Sequence, residues 1–482
     1  MGNLNNIKHN ALRFTIGTLI DETVKTYKKS PEKVQNNLLK LNGIAKKYFS
    51  DMYSANAFNK AEELIMDTDS KWYKYFESAL NNIHPNIIKQ MTLNLGYEAA
   101  FYGNKKLRES REKYNCPVPW VILMDPTSAC NLKCTGCWAA EYGYKLNLDY
   151  DTLAKIVREG RELGTYFYMF TGGEPLVRKK DILRLAEEFN DCAFNVFTNG
   201  TLIDEDFCKE VQRLGNIVFS VSVEGSEEVN DLRRGDGVYD KVMHAFDLMK
   251  EYGLLYGTSI CYTSKNYKSV TSDEFLDTLI DKGVRYNWYF HYMPVGNSAS
   301  TDLLLNAEQR AYMVKRVREI RAFEGGKPIF CLDFQNDGEY VGGCIAGGRN
   351  YFHINANGDA EPCVFIHYSN VNIKECSIIE ALQSPLFQDF RYNQPFNKNH
   401  LRPCPMLENP DVIQRLVHES GAHSTDLVSP ESVEHLTNKC YHYAKDWGTV
   451  AEEIWKNTKK REWTYENYYK GNKVKEKEMA TK

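Results

Sequence analysis

Between residues 119 and 292 the chain alternates short apolar runs with amphipathic helical segments. Short strands that are apolar on both faces and separated by helices indicate parallel pairing with right-handed crossovers. The predicted strands are Val121–Met124, Tyr166–Phe170, Ala193–Phe197, Ile217–Val223, Gly257–Tyr262 and Val284–Tyr292. The predicted helices are Tyr150–Leu163, Lys180–Phe189, Glu205–Leu214, Tyr239–Tyr252 and Ser272–Lys282. Six such repeats predict an α/β fold built on an open, partial (β/α)6 TIM-like barrel, with functional groups at the carboxyl ends of the strands.

Length and composition limit the remaining possibilities. A chain of 482 residues is too long for one simple core and predicts several domains. Apolar residues make up 43% and charged residues 26%, which is typical of a soluble globular protein. The net charge of −4 gives no electrostatic case for a nucleic-acid partner. Without an apolar export signal or a run long enough for a transmembrane segment, we expect a cytoplasmic protein.

The pattern divides the chain into five parts. We predict an N-terminal helical region at 1–115, the barrel at 116–300, a linker helix at 301–330, a small α+β domain at 331–410 and a helical region with a tail at 411–482. The N-terminal helices suit either an antechamber or a packing support. In the fourth part, Ala356-Asn357-Gly358-Asp359 between two apolar runs predicts a β-hairpin.

Three cysteines follow the first predicted strand directly, in the C-x3-C-x2-C run Cys130, Cys134 and Cys137. Three thiolates on one loop can hold three irons of a cubane cluster and leave the fourth iron open to another ligand. A zinc site or unrelated core cysteines are the alternatives, although structural zinc prefers four ligands. The 13 cysteines of this chain, which lacks an export signal, favour metal ligation over disulfides.

Polar and glycine-rich motifs follow the next strands. The second strand leads into Thr171-Gly172-Gly173-Glu174-Pro175, in which glycines permit close approach of a ligand and a carboxylate can accept hydrogen bonds from an ammonium group. Asn199 and Ser222 end the third and fourth strands and suit hydroxyl or carboxylate groups. Arg234 follows, and a guanidinium can pair bidentately with a carboxylate.

From Pro119 to about Asn297, these motifs in this order resemble the radical S-adenosylmethionine (SAM) superfamily. The resemblance implies that the three cysteines ligate a 4Fe-4S cluster whose open iron binds the amino and carboxylate groups of SAM. It implies that the cofactor contacts come from Gly172, Gly173, Glu174, Asn199, Ser222 and Arg234. The family usually places an aromatic or bulky residue before the third cysteine, beside the adenine. Here that residue is Gly136, so that Trp138 is the candidate replacement and a core role the alternative.

The C-terminal cysteines resemble the opening of a SPASM or Twitch domain. The resemblance implies one auxiliary iron–sulfur cluster held by Cys344, Cys363 and Cys404, and a domain that holds another metal or none is the alternative. The fourth ligand of the cluster is unassigned: Cys331 is a candidate, with a core role as its alternative, and an iron open to substrate is the other possibility. The further cysteine run of a full SPASM domain is absent, which predicts no second auxiliary cluster. The other cysteines and the histidines of this region are predicted to be packed side chains, namely Cys116, Cys192, Cys208, Cys261, Cys376, Cys440, His353, His367 and His400.

The resemblance also implies an activity. An electron donor such as flavodoxin or ferredoxin would reduce the cluster, SAM would be cleaved to a 5′-deoxyadenosyl radical, and the radical would abstract hydrogen from an unidentified peptide, small metabolite or lipid. Two other interpretations stay open at this point. One is an iron–sulfur electron-transfer protein without SAM chemistry, and the other is a zinc-stabilised barrel that binds a ligand.

Overall fold

The computed structural model describes residues 2–27, 29–50, 53, 55–143 and 145–458. The predicted tail beyond residue 458 lies outside this range. The strands of the protein are β1 (Val121–Met124), β2 (Phe167–Phe170), β3 (Ala193–Thr198), β4 (Ile217–Ser222), β5 (Tyr256–Tyr262), β6 (Tyr286–His291), β7 (Phe330–Asp333), β8 (Tyr351–Ile354), β9 (Ala360–Glu361), β10 (Tyr368–Ser369) and β11 (His423–Ser424). Among these residues, β1 to β9 form one sheet in the order β7-β6-β5-β4-β3-β2-β1-β8-β9, and β10 pairs with β11.

The helices fall into three groups. The N-terminal group is α1 (Gly2–Tyr27), α2 (Pro31–Phe49), α3 (Ala55–Met66), α4 (Lys71–Asn82), α5 (Pro85–Met91), a π-helix (Thr92–Gly103) and α6 (Asn104–Tyr114). The barrel group is α7 (Tyr150–Leu163), α8 (Lys179–Glu188), α9 (Glu205–Leu214), α10 (Glu227–Arg234), α11 (Val238–Glu251) and α12 (Asp273–Asp281). The C-terminal group is α13 (Ala307–Ile320), α14 (Gly338–Val341), α15 (Ile378–Leu382), α16 (Pro385–Asn393), α17 (Pro410–Ser420), α18 (Val433–Asn438) and α19 (Tyr441–Lys456). None of the described helices is both long and apolar enough to cross a membrane.

The predicted partial barrel is confirmed, and local signals explain why its elements begin and end where they do. Strands β1 to β7 pair in parallel in chain order, each joined to the next through a helix-bearing connection. Helices α7 and α9 have the predicted bounds, because Asp149 and Asp204 accept hydrogen bonds from their first-turn amides. Gly164 and Gly215 end the same helices in the left-handed conformation.

The sheet is larger than the six strands predicted. The predicted hairpin forms as β8 and β9, and β8 also pairs in parallel with β1, so that Leu123 lies opposite His353. Strand β7 adds to the other edge beside β6. The two edges of this sheet are β7 and β9, and the gap between them is the lateral opening of the barrel. Phe334, just after β7, reaches across it to Tyr351 and Phe365, with ring centroids 5.8 and 6.3 Å apart.

The N-terminal helices lie at the amino ends of the barrel strands. The side chain of Asn94 donates to the carbonyls of Asn190 and Cys192, which precede β3. The amide of His84 donates to the carbonyl of Gly253, which precedes β5. The cysteine loop follows β1 at the opposite end of the strands. This placement favours a packing support over an antechamber for the N-terminal region.

Candidate active site

The cysteine run forms a loop after β1 on which Cys130, Cys134 and Cys137 are partly buried free thiols. The amide of Leu132 donates to the sulfur of Cys130 at 3.4 Å. Burial raises the pKa of the Cys130 thiol to about 11 and also raises the pKa of Cys137. Such thiols stay protonated near neutral pH unless a cation binds them, because burial penalises the charged form.

Among the described residues, no three or more His, Cys, Asp or Glu side chains converge closely enough to hold a single metal ion. A mononuclear zinc site needs its ligands within about 2.0–2.3 Å of one point. A cubane cluster differs, because each cysteine bonds to a different iron.

The Gly-Gly-Glu-Pro turn after β2 packs directly on the cysteine loop. The amides of Gly173 and Glu174 donate to the carbonyls of Thr127 and Ala129 at 3.0 and 2.8 Å. A Cβ atom at Gly172 would lie 2.6 Å from the Thr127 oxygen, and one at Gly173 would lie 2.2 Å from the Ala129 oxygen. The glycines, which we predicted to admit a ligand, are therefore required for contact between the turn and the cysteine loop.

Glu174 is buried and joins the ends of two strands. Its carboxylate accepts hydrogen bonds from the Leu176 amide at 2.9 Å, the Thr198 hydroxyl at 2.7 Å and the Asn199 amide at 2.7 Å. Burial raises its pKa, and these three donors oppose that rise. The side chain of Asn199 in turn donates to Asn131 of the cysteine loop at 2.8 Å. The motifs after β1, β2 and β3 thus form one hydrogen-bonded unit.

Helix α10 ends against the cysteine loop. The buried carboxylate of Glu224 pairs with both Arg233 and Arg234. The Arg233 carbonyl accepts a hydrogen bond from the Thr135 amide at 2.9 Å, and Arg234 Nη1 lies 3.8 Å from the sulfur of Cys134. The two arginines therefore lie beside the cysteine loop, and both pair with the one buried carboxylate of Glu224.

Sequence reasoning favoured Arg234 over Arg233 and gave no role to Glu224. The signal was present, since an acidic residue at the end of β4 followed by an arginine pair predicts a buried ion pair. Ser222 ends β4 in register with Ser259 of β5 and is partly exposed.

The ring of Tyr292 occupies the space beside Gly136. Gly136 has a φ of +69°, and a Cβ atom there would lie 2.7 Å from Tyr292 Cε2. Trp138 lies elsewhere, edge-on to His353 and His367 with centroids 5.8 and 6.0 Å apart. The ring of Tyr292, the residue that follows β6, therefore lies against the residue that precedes the third cysteine.

His353, predicted to be a packed histidine, lies in a buried charged cluster. Its two ring nitrogens are 2.9 Å from Asp125 and 2.6 Å from Glu361. Burial lowers its pKa, but the two carboxylates outweigh burial and raise the pKa to about 10. Tyr142 also donates to Glu361, at 2.8 Å. The cluster links the residue after β1 to the β8–β9 hairpin.

The three C-terminal cysteines line one cavity of about 50 Å³ in the lateral opening. Burial raises the pKa of Cys344 to about 11 and of Cys363 to about 12, and it also raises that of Cys404. The hydroxyl of Tyr351 donates to the sulfur of Cys363 at 2.7 Å. Cys331 does not line this cavity, and its sulfur lies 4.0 Å from the side-chain nitrogen of Asn287 instead.

Comparisons with known proteins agree with this geometry. The model of the radical SAM superfamily matches residues 124–281, and that of SPASM, an iron–sulfur cluster-binding domain, matches residues 344–406. Fe-coproporphyrin III synthase of Methanosarcina barkeri is 26% identical over 256 residues, which are 51% of this chain and 63% of that protein. An uncharacterised Archaeoglobus fulgidus protein is 33% identical over 55% of this chain and 66% of its own length. The chain thus spans slightly less than two thirds of these two relatives.

A third relative is the cysteine-type anaerobic sulfatase-maturating enzyme of Clostridium perfringens, 23% identical over 58% of this chain and 82% of that protein. Among solved structures, Streptococcus suis SuiB bound to precursor peptide SuiA has a TM-score of 0.53 at 17% identity, covering 69% of this chain and 80% of SuiB. SuiB bound to S-adenosylmethionine gives the same TM-score at 16% identity, covering 77% of this chain and 89% of SuiB. The fold is shared with SuiB, and the chain carries a radical SAM domain at residues 124–281 and a SPASM domain at residues 344–406.

Proposed function

We propose that this protein binds SAM at a 4Fe-4S cluster held by Cys130, Cys134 and Cys137 and cleaves it reductively to start hydrogen abstraction from a substrate. The observation that carries the proposal is the contact network at the carboxyl end of the barrel. There the cysteine loop is hydrogen-bonded to the Gly-Gly-Glu-Pro turn, to the residue after β3 and to the end of α10.

The donor set fits an iron–sulfur cluster. Thiolates are the protein ligands that such clusters prefer, and an amide hydrogen bond to sulfur, like that of Leu132 to Cys130, stabilises the charged form. The guanidinium of Arg234 beside Cys134 balances the negative charge of a thiolate-bound cluster. When bound, the cluster supplies the electron that breaks a carbon–sulfur bond of SAM to give a 5′-deoxyadenosyl radical.

The chain's own residues then position the cofactor. We assign Gly172 and Gly173 to the methionyl end through their backbone, with Glu174 as a positioning residue because three donors already occupy its carboxylate. Asn199, Ser222 and Arg234 surround the remainder of the cofactor. We assign Tyr292 to the position beside the adenine that was predicted for Trp138, because the Tyr292 ring fills the space at Gly136.

We assign Cys344, Cys363 and Cys404 to an auxiliary cluster without a fourth cysteine ligand. The cavity that they line has no other cysteine among its walls. Such a cluster would anchor substrate or accept an electron from the product radical, and a one-electron donor such as flavodoxin or ferredoxin would serve the first cluster. One relative is named for the synthesis of Fe-coproporphyrin III, another is named for the maturation of sulfatases, and SuiB binds a precursor peptide.

The test is anaerobic reconstitution with iron and sulfide, reduction with dithionite and measurement of 5′-deoxyadenosine. We expect the product from the wild type and none from Cys130→Ala, Cys134→Ala or Cys137→Ala. Changes of the auxiliary cysteines to Ala should lower the iron content and leave SAM cleavage without substrate largely intact. Cys440→Ala, in the buried core, is the matched control and should keep the full iron content.

Two outcomes would contradict the proposal. A cluster spectrum without 5′-deoxyadenosine would identify an electron carrier, and bound zinc without visible absorbance would identify a ligand-binding barrel. If the iron content is the same in the wild type and in all three auxiliary-cysteine variants, the assignment of the second cluster is refuted.

A further inference from the structure

We propose that the substrate site in the barrel lumen recognises a planar aromatic ring, which packs on four rings of β3, β6 and the segment after β7. These rings, the aromatic wall, are Phe197, Trp288, Phe290 and Phe334. The inference rests on the proposed function only in calling the bound molecule a substrate. The wall and its preference for an aromatic ring can be tested without any catalysis.

The rings of the wall contact one another in sequence. Phe197 and Trp288 are parallel within 1° with centroids 5.4 Å apart. Phe290 lies edge-on to Trp288 at 6.0 Å, and Phe334 follows at 5.3 Å from Phe290. These separations fall within the range in which aromatic pairs attract one another, about 4.5–7 Å.

Small residues on the strands between Phe197 and Trp288 leave room for this arrangement. Strands β4 and β5 separate β3 from β6 in the sheet. In register with Trp288, these strands carry Ser259 and, beside it, Ser222. The next inward position of β5 is Cys261, opposite Phe290. The lumen therefore has an aromatic side and a side of small, weakly polar groups that can hydrogen-bond substituents of a ring.

The wall is accessible although it lies inside the barrel. Each of its four rings is only partly buried, whereas their outward-facing neighbours Val196 and Tyr289 are fully buried against the helices. Strand β6 alternates between partly buried and buried residues along its whole length. Aromatic side chains that keep free surface within an enclosed lumen are typical of a ligand pocket.

The position of the wall places a bound ring between the two sets of cysteines. Phe334 lines the cavity of Cys344, Cys363 and Cys404 and contacts Tyr351, whose hydroxyl reaches Cys363. At the other end, the strands that carry Phe197 and Trp288 run toward the edge where the cysteine loop lies. The wall itself offers no charged group, so that ring stacking, rather than ion pairing, would select the ligand.

The experiment compares two probes with one carbon skeleton, 2-naphthol and trans-decahydro-2-naphthol. Binding of fluorescent 2-naphthol to the reconstituted full chain is followed by anisotropy, and the saturated alcohol is measured as a competitor. We expect 2-naphthol to bind about threefold to tenfold more tightly, as expected for one or two ring contacts. Equal affinity, or tighter binding of the saturated alcohol, would refute the proposal.

Variants locate the effect. Trp288→Leu should abolish the preference for the aromatic probe, and Trp288→Phe should retain most of it, which also shows that the site tolerates substitution. Phe290→Leu is a second variant that should reduce the preference if Trp288→Leu does not fold. Trp72→Leu, on α4, is the control and should change nothing. An unchanged preference in both lumen variants would overturn the assignment.

The result is independent of the proposed function. 5′-Deoxyadenosine formation is measured on the same preparations. Probe preference without this product would refute SAM cleavage and keep the ring site. Formation of 5′-deoxyadenosine without a preference for the aromatic probe would refute the ring site and support SAM cleavage.

Discussion

Gly136→Ala would place a methyl group where the ring of Tyr292 already lies. The added Cβ atom would be 2.7 Å from Tyr292 Cε2 and 3.0 Å from Leu303 Cδ1. Overpacking of this kind costs about 1–3 kcal/mol, because both neighbours must move. The φ of +69° adds about 1–2 kcal/mol for any residue with a side chain. We therefore expect the opening free energy of the cysteine loop to fall by about 2–5 kcal/mol.

A matched control separates the two contributions. Gly237 has a φ of +71°, and a Cβ atom there would meet nothing within 4 Å. Gly237→Ala should therefore show the backbone cost alone. Tyr292→Ala combined with Gly136→Ala should recover the overpacking part, with a coupling energy of about 1–3 kcal/mol between the two positions.

Hydrogen exchange of the metal-free protein measures the local opening free energy of the segment that carries each glycine, and iron content after reconstitution measures the consequence. We expect Gly136→Ala to lose iron, Gly237→Ala to keep it, and the double variant to regain part of it. If Gly136→Ala costs no more than Gly237→Ala, or if removal of the Tyr292 ring changes nothing, the ring does not fill this space and its assignment beside the adenine fails.

Three further predictions concern buried charges. Glu224→Gln leaves Arg233 and Arg234 without their carboxylate, so we expect a loss of about 3–5 kcal/mol and of iron at the first cluster, measured by thermal unfolding and iron analysis. His353→Gln should lower the free energy of unfolding most at pH 6. The pKa of His353 is raised to about 10 in the folded protein, so its protonation stabilises the fold fully below the unfolded pKa of about 6.5, and this stabilisation disappears as the pH rises through about 10. Urea unfolding of both proteins at pH 6 and pH 10 checks this, and an equal difference at both values would contradict it. The carboxylate of Glu408 accepts a hydrogen bond from the amide of Cys404, and Glu408→Gln weakens this acceptor. The variant should therefore lower the iron content of the auxiliary cluster while 5′-deoxyadenosine formation persists.

The barrel could be predicted from sequence because its signals are local. Strands apolar on both faces and helices with capping residues define their own bounds, as α7 shows with its Asp149 cap and Gly164 terminus. The cysteine loop and the Gly-Gly-Glu-Pro turn were likewise visible as contiguous motifs. Their physical role was not, since the contact of Gly173 with Ala129 depends on how two loops meet in space.

What sequence reasoning missed depends on contacts between distant residues. The contact of Tyr292 with Gly136 was not predicted, because 156 positions separate the two residues and no local pattern joins them. His353 looked like a packed histidine, since its two carboxylate partners come from the end of β1 and from β9. The parallel pairing of β8 with β1 could not be anticipated either, because the hairpin carries no signal of which sheet edge it joins.

That pairing couples the two sets of cysteines. Strand β1 leads into the loop of Cys130 and pairs along its other edge with β8, whose first residue, Tyr351, donates to Cys363. Without β8, β1 would be an exposed edge strand with unpaired backbone groups. The His353 cluster reinforces the same junction by joining β8 to the residue after β1. Strand β8 and the His353 cluster therefore join the SPASM region to the strand that leads into the cysteine loop.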